Sequence, residues 1–272
     1  MTFLLLLISF FMSFFIGYFI INGLWFRQKS FLYGFAIKMF LSLGVGIGVS
    51  SLGFFITILL VTPSRNIIIF SDIVMFLLSL TFFVLSVKLR RREPCCEIKS
   101  DTVCGSTKIM KLVSLLLLFM IGFFLIAFIL KSVYKDPHGY IDAILVYNMK
   151  ARLLFRGGED WSNYYALMKW SGPELSKLEY ADMIFPQLLN HSYPLLLSGF
   201  IAKTWYYINE DTTIVPIITT TLFTFSTIGL LYTSLSILRG KSQGLLAALL
   251  LVGSPIFLQS GINQVADVPI SF

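Results

Sequence analysis

The sequence predicts an all-α polytopic membrane protein with about six transmembrane helices. Of its 272 residues, 57% are hydrophobic and 13% are charged, whereas a soluble domain carries about 25% charged residues. The apolar residues form runs of roughly 20, the length of helix that crosses a bilayer core. The net charge of +7 comes from lysines and arginines at the ends of these runs, as in cytoplasmic loops. This distribution excludes a nucleic-acid partner and makes membrane lipids the expected surroundings.

The apolar runs also predict a topology. The first run is followed directly by Arg27 and Lys29, which we expect to face the cytoplasm, so the N-terminus is predicted outside. No basic residue precedes this run and no small-residue cleavage site follows it, so a signal peptide is not predicted. The most basic loop, 88–111, is then cytoplasmic. The six predicted spans are 3–24, 31–61, 67–87, 112–131, 213–238 and 244–260.

The second run contains a glycine-rich stretch that could be mistaken for a nucleotide-binding loop. It consists of Gly44, Gly46 and Gly48. These glycines follow no strand, lack the third correctly spaced glycine and have no acidic partner. Small residues inside a membrane helix let a neighbouring helix approach closely. We therefore expect helix packing here rather than nucleotide binding.

Polar residues in and between the first runs have ordinary explanations. Lys38 lies one or two turns into the second run and is expected to extend to the interface. Asp72 lies near the outer end of the third run and is expected to reach interfacial water or Arg65. The loop cysteines have no histidine nearby and match no zinc spacing, so we expect reduced bystander thiols on the cytoplasmic side. They are Cys95, Cys96 and Cys104.

The segment 132–212 is the polar centre of the chain. It holds nine of the fourteen carboxylates and both histidines, and hydrocarbon excludes unpaired charge. We therefore predict a large extracytoplasmic loop that carries juxtamembrane helices. Residues 140–155 suit one such helix, because Asp142 lies in the first turn while Lys150 and Arg152 lie later, as the helix dipole favours.

The run 194–208 is expected to lie at the interface rather than to cross the membrane. Fifteen apolar residues barely span a bilayer, and the tyrosines near its end are typical of an aromatic belt. If this run does not cross, 213–238 goes inward and the basic Arg239 is cytoplasmic. Asp267 then emerges on the same side of the membrane as Asp142.

Four stretches occur in a recognisable order: GYIDAILVYNMKARLL (139–154), HSYPLLL (191–197), LRGKSQGLLAALLLVGSPIFL (238–258) and ADVPIS (266–271). In this order and spacing the chain resembles the membrane glycosyltransferases of the GT-C fold, near glycosyltransferase family 39, which include protein mannosyltransferases and aminoarabinose transferases of lipid A. The resemblance covers 111–272, as a core portion, and leaves 1–110 as an accessory block of three helices. Because a new apolar run begins at the last residues, we expect an N-terminal portion of a longer protein.

The resemblance implies transfer of a sugar from a polyprenyl-phosphate-linked donor to an extracytoplasmic lipid, glycan or protein. Asp142 stands where the family has its catalytic outer-loop carboxylate, and Asp267 stands where it has a second acidic residue. A carboxylate would take the acceptor's proton, and a cation would stabilise the departing phosphate. No metal ligand is assigned, no cofactor is named with certainty, and a divalent metal is left open. The substrate-binding candidates are Lys150, Arg152, His191, Tyr193 and Lys203.

Each candidate also has a structural explanation, and two other functions compete. In the structural explanation, Asp142 is simply a carboxylate at the start of a helix, and Asp267 is the first residue of a helix that begins before its proline. Lys150 and Arg152 then bind anionic lipid headgroups. A transporter would place ionisable residues and broken helices at mid-membrane. A non-catalytic scaffold or inactive fragment would pair Asp142 with a neighbouring cation. The expected location, on the resemblance alone, is a bacterial plasma membrane.

Overall fold

The computed structural model describes residues 2–25, 31–90, 108–135, 137–140, 143–157, 195–264 and 268–269. Within these ranges the chain is helical and contains no β-strand, as the sequence predicts. A π-helical turn, Ala143–Asn148, leads directly into α5. The α-helices are α1 Thr2–Leu24, α2 Phe31–Leu60, α3 Arg65–Arg90, α4 Lys108–Tyr134, α5 Met149–Arg156, α6 Leu196–Ile208, α7 Ile214–Arg239, α8 Lys241–Val252 and α9 Pro255–Ile262.

The long helices define an integral membrane protein. Five of them, α1 to α4 and α7, are long and apolar enough to cross a bilayer, and the bent pair α8–α9 makes a sixth if it is one span. A helix satisfies its own backbone hydrogen bonds, which hydrocarbon requires. The bend between α8 and α9 is 64°, where Gly253 and Ser254 interrupt the helix and Pro255 starts the next one. Five of the six predicted spans thus correspond to candidate membrane helices, and the sixth, 244–260, corresponds to the bent pair. The topology stays a prediction.

Helices α1 and α2 approach each other through glycines. A Cβ atom built on Gly46 would lie 2.8 Å from the carbonyl carbon of Ser13, and one built on Gly17 would lie 2.8 Å from the Cα of Gly46. Carbon atoms in ordinary contact are about 3.5–4.0 Å apart, so neither position has room for a side chain. This confirms for Gly46 that the glycine-rich stretch serves helix packing.

Helix α6 occupies the centre of the bundle. It contacts α1, α2, α3, α5, α7 and the π turn, and every residue from 197 to 208 is buried. Asn209, in the left-handed conformation, ends the helix and donates its N–H to the carbonyl of Trp205. The expectation that its aromatic residues form a lipid-facing belt was therefore wrong, while its position at the interface stays a prediction. The aromatic residues at its end lie inside the bundle, where their polar atoms find partners instead of water.

The helix predicted over 140–155 is present in two parts. The π turn widens its first turn, and α5 continues it as far as Arg156, next to Gly157. One face packs on α6, because Tyr147, Ala151 and Leu154 are buried in the same apolar cluster as Phe200. The polar loop segment and the membrane bundle are thus held together by a continuous core.

Candidate functional site

Four of the sequence-predicted site residues lie outside the described residues. These are Asp142, His191, Tyr193 and Asp267. The other three, Lys150, Arg152 and Lys203, are described, and they do not lie in one group. Lys150 and Arg152 are on α5, while Lys203 is on α6 and points toward α1 and α3.

The chain on both sides of Asp142 is joined by hydrogen bonds to the segment that precedes Asp267. The backbone N–H of Tyr140 donates to the carbonyl of Asn263, at 3.1 Å. The Asn148 side-chain amide donates to the Gln264 side-chain carbonyl, at 3.1 Å. The Gln264 amide in turn donates to the carbonyl of Pro137, at 3.1 Å. We call these three bonds the junction; it ties the start of the predicted outer loop to the end of α9.

The junction contains two residues with unusual backbone angles. Gly139 has a φ of 75°, and Gln264, which is not a glycine, has a φ of 57°. A Cβ on Gly139 would lie 2.6 Å from the carbonyl oxygen of Asn263, so this position needs both the conformation and the size of glycine. A non-glycine residue in the left-handed region costs about 1–2 kcal/mol. Gln264 is 2% exposed, and its side-chain carbonyl and its side-chain NH2 group are both hydrogen-bonded. These bonds of the junction offset the cost of the left-handed conformation.

Basic residues of α5 meet an acidic residue at the end of α6. Arg156 forms a salt bridge with Asp211, and the Nε of Arg152 lies 3.4 Å from the same carboxylate. All three side chains are partly exposed. Lys150, two residues before Arg152 in sequence, is buried. Burial lowers the pKa of its ammonium group. This end of α5 is a partly screened cationic surface that could face an anion.

A second charged group lies deep inside the bundle. The Lys203 ammonium donates to the Asp72 carboxylate at 2.9 Å and to the Ser13 hydroxyl at 2.8 Å. The Tyr207 hydroxyl donates to the same oxygen of Asp72, at 2.6 Å. The side chains of Lys203 and Asp72 are 0% and 4% exposed. The expectation that Asp72 reaches interfacial water or Arg65 was therefore wrong, because α6 brings a cation to it.

The tyrosines of α6 have altered acidities. Burial raises the pKa of Tyr206 to about 12. Burial, followed by the neighbouring Asp72 carboxylate, raises the pKa of Tyr207. Both hydroxyls therefore stay protonated at neutral pH and act as donors, Tyr206 to the carbonyl of Leu154 at 3.3 Å and Tyr207 to Asp72.

The sequence analysis missed three participants, namely Asp211, Gln264 and the partnership of Asp72 with Lys203. A signal existed for the last of these. Asp72 and Lys203 are opposite charges inside apolar runs, and such residues usually pair with each other within a membrane bundle. Gln264 gave no signal, since its role depends on a backbone angle and on two partners more than 100 residues away in sequence.

Among the described residues, no three histidine, cysteine, aspartate or glutamate side chains are grouped so that they could hold a metal ion. The structure is that of an all-α integral membrane protein. Asp72 and Lys203 form a buried ion pair in it, and the hydrogen bonds of the junction join the start of the predicted outer loop to the end of α9. No protein-family model, no curated protein and no solved structure matches the chain.

Proposed function

We propose that the protein transfers a sugar from a polyprenyl-phosphate-linked donor to an acceptor outside the cytoplasm. The acceptor is a lipid, a glycan or a protein. In this proposal Asp142 is the general base and Asp267 is the second acidic residue of the site. The protein lies in a bacterial plasma membrane, with the N-terminus and the loop 132–212 on the extracytoplasmic side. The resemblance of four ordered stretches to the GT-C glycosyltransferases motivates the proposal.

The observation that carries the proposal is the junction. Tyr140 precedes Asp142 by two residues, and Gln264 precedes Asp267 by three. A fully extended chain advances at most about 3.5 Å per residue, so the bond between Tyr140 and Asn263 limits how far apart the two acidic residues can lie, which supports a shared site. A bond between these two segments is expected if the two acidic residues work together.

The chemistry follows from the expected roles. The acceptor oxygen or nitrogen attacks the anomeric carbon, and Asp142 takes the proton that this atom loses. The bond between the anomeric carbon and the phosphate oxygen breaks, and the polyprenyl phosphate leaves with the electron pair. A cation near the phosphate stabilises the charge that develops. Lys150 and Arg152 are assigned to this role, with Arg152 held in place by Asp211.

Lys203 is assigned differently from the other cations. Its ammonium group lies inside the bundle and is bonded to Asp72 and Ser13. Contact with a lipid phosphate would require both bonds to break and would leave Asp72 buried without a cation, which is costly. Phosphate contact by Lys203 stays a prediction, but this arrangement favours Lys150 and Arg152 of α5 as the residues that contact the phosphate.

Transfer is tested with the purified protein in lipid nanodiscs and short-chain polyprenyl-phosphate sugars carrying a radiolabel. Loss of a general base lowers such rates by about 10²–10⁴-fold, so Asp142→Asn and Asp267→Asn should lose transfer while remaining folded. Glu210→Gln is the matched control, because it removes an exposed carboxylate that has no role in the proposal. Full activity of Asp142→Asn, or no transfer by the wild-type protein from any such donor, would contradict the proposal.

One observation favours a second function, that of a transporter. Transporters carry ionisable residues and broken helices within the membrane, and this chain has the buried Asp72–Lys203 pair and the 64° break between α8 and α9. Against it, the cavity of about 350 Å³ between α1, α2 and α7 is lined by apolar residues alone. Solute or proton flux in proteoliposomes, abolished by Asp72→Asn, would favour the transporter.

A further inference from the structure

The Asp72–Lys203 pair has no role in the chemistry proposed above, and its cost to the fold demands a reason. Two opposite charges are withdrawn from water inside the bundle. Replacing such a pair with apolar residues is often neutral or stabilising, while removing one partner alone is strongly destabilising. Stability therefore does not explain why the pair is present. A role in fixing the relative positions of the helices explains it.

The surroundings of the pair specify one position for α6. Lys203 is held by Asp72 of α3 and by Ser13 of α1. Its ammonium lies 5.0 Å from the ring centre of Phe200 and 5.7 Å from that of Tyr207, both on α6 itself. A shift of α6 by one residue in either direction would remove the cation from Asp72 and bury the carboxylate without a partner. The pair thus sets the register of α6 against α1 and α3.

Other side chains of α6 hold the segment that carries the predicted site. Ser198 donates to the carbonyl of Tyr147 in the π turn, at 2.9 Å, and Tyr206 donates to the carbonyl of Leu154 in α5. Tyr147 immediately precedes Asn148, whose amide makes the junction with Gln264. A continuous path of direct bonds therefore runs from Asp72 through α6 to the junction.

We propose that Asp72 and Lys203 are positioning residues, which fix α6 in the bundle and thereby hold the π turn and α5 in place for the site at the junction. The pair links the three-helix block of α1–α3 to the segment that follows α4. The catalytic consequence rests on the proposed glycosyl transfer. The structural consequence does not, so the two are tested separately.

The structural test is amide hydrogen exchange of peptides that cover 143–157, measured on the full chain in nanodiscs. We expect Asp72→Asn and Lys203→Met each to raise the exchange rate of these peptides at least tenfold, because each leaves one buried charge unpaired. The double variant Asp72→Asn/Lys203→Met removes both charges and should restore most of the protection. Lys38→Met is the matched control: it removes a buried lysine that bonds to the neutral Asn22, and should leave 143–157 unchanged.

Tyr207→Phe keeps the experiment decisive if either single variant fails to fold. It removes one donor to Asp72 and retains both charges, so we expect exchange in 143–157 to rise about threefold while the protein stays folded. Unchanged exchange in folded single variants and in Tyr207→Phe overturns the proposal. Equal disruption by the double variant and by the single variants also overturns it, because pairing would then not be the cause.

Sugar transfer by the same variants gives the functional readout. Positioning predicts that transfer falls with the single variants and recovers in the double variant, in parallel with hydrogen exchange. If the wild-type protein transfers no sugar, the proposed function fails while the exchange result still decides the positioning role. If transfer is intact in variants whose 143–157 segment has lost protection, the positioning role in catalysis is refuted and the enzyme assignment survives.

Discussion

The close approach of α1 and α2 gives a quantitative prediction for Gly46→Ala. The new methyl carbon would lie 2.8 Å from the carbonyl carbon of Ser13. Carbon atoms in contact are about 3.5–4.0 Å apart, so the two helices must separate by about 1 Å. The obstacle is backbone, which cannot swing aside as the end of a side chain can. Both helices therefore have to move along much of their contact.

Two opposing terms set the size of the effect. Overpacking of this kind costs about 1–3 kcal/mol. Replacing glycine with alanine inside a helix gains about 0.5–1 kcal/mol. We expect Gly46→Ala to lower the free energy of unfolding by about 1–2 kcal/mol in balance. Gly122→Ala in α4 is the matched control, because a Cβ there meets nothing within 4 Å, and it should be neutral or stabilising by about 0.5 kcal/mol.

The two variants are compared by unfolding in mixed micelles with increasing sodium dodecyl sulfate, followed by circular dichroism. Gly17→Ala serves as a second test, since its methyl would lie 2.8 Å from the Cα of Gly46. We expect both α1–α2 variants to unfold at clearly lower detergent fractions than Gly122→Ala. If Gly46→Ala and Gly122→Ala unfold together, the helices can separate freely and the packing argument fails.

Two further predictions concern the polar groups. Asn148→Ala and Gln264→Ala should each destabilise the protein by about 1–3 kcal/mol, because each removes the hydrogen bond between these two buried amides. The double variant should cost less than the sum of the two losses, and strictly additive losses in a double-mutant unfolding cycle would argue against a direct bond. Asp211→Asn should change the unfolding free energy by less than about 1 kcal/mol, because Asp211 and both of its arginine partners are partly exposed to solvent. About 1 M salt should erase the difference, and a larger loss that salt does not change would contradict this.

The membrane spans could be predicted from the sequence because each one is a local property. A run of about 20 apolar residues must form a helix in hydrocarbon whatever its neighbours are. The runs 3–24 and 213–238 accordingly agree with α1, Thr2–Leu24, and α7, Ile214–Arg239, to within a residue at each end. The glycine-rich stretch of α2 was equally predictable, because a small residue in a membrane helix has few uses other than close packing.

The position of α6 could not be predicted in the same way. Its sequence has the length and the aromatic residues of an interfacial helix, and whether those residues face lipid or protein depends on which helices surround them. Tyr206 and Tyr207 find hydrogen-bond acceptors on α5 and α3. Their polar atoms are therefore satisfied without water. The local sequence pattern is compatible with either lipid or protein around the helix, and the tertiary contacts decide which of the two surrounds it.

Departures from local rules cluster around α6 and the segments bonded to it. The π turn at Ala143–Asn148 has an uncommon hydrogen-bond pattern that is frequently found at functional sites. Gln264 occupies the left-handed region, and Asp72 with Lys203 forms a buried ion pair. Gln264 bonds directly to Asn148 of the π turn, 116 residues away, and Ser198 of α6, the helix that carries Lys203, bonds to Tyr147 of the same turn. Natural chains depart from local rules mainly where function requires it. The clustering therefore gives a reason, independent of any resemblance, to test for a functional site where the π turn meets the end of α9.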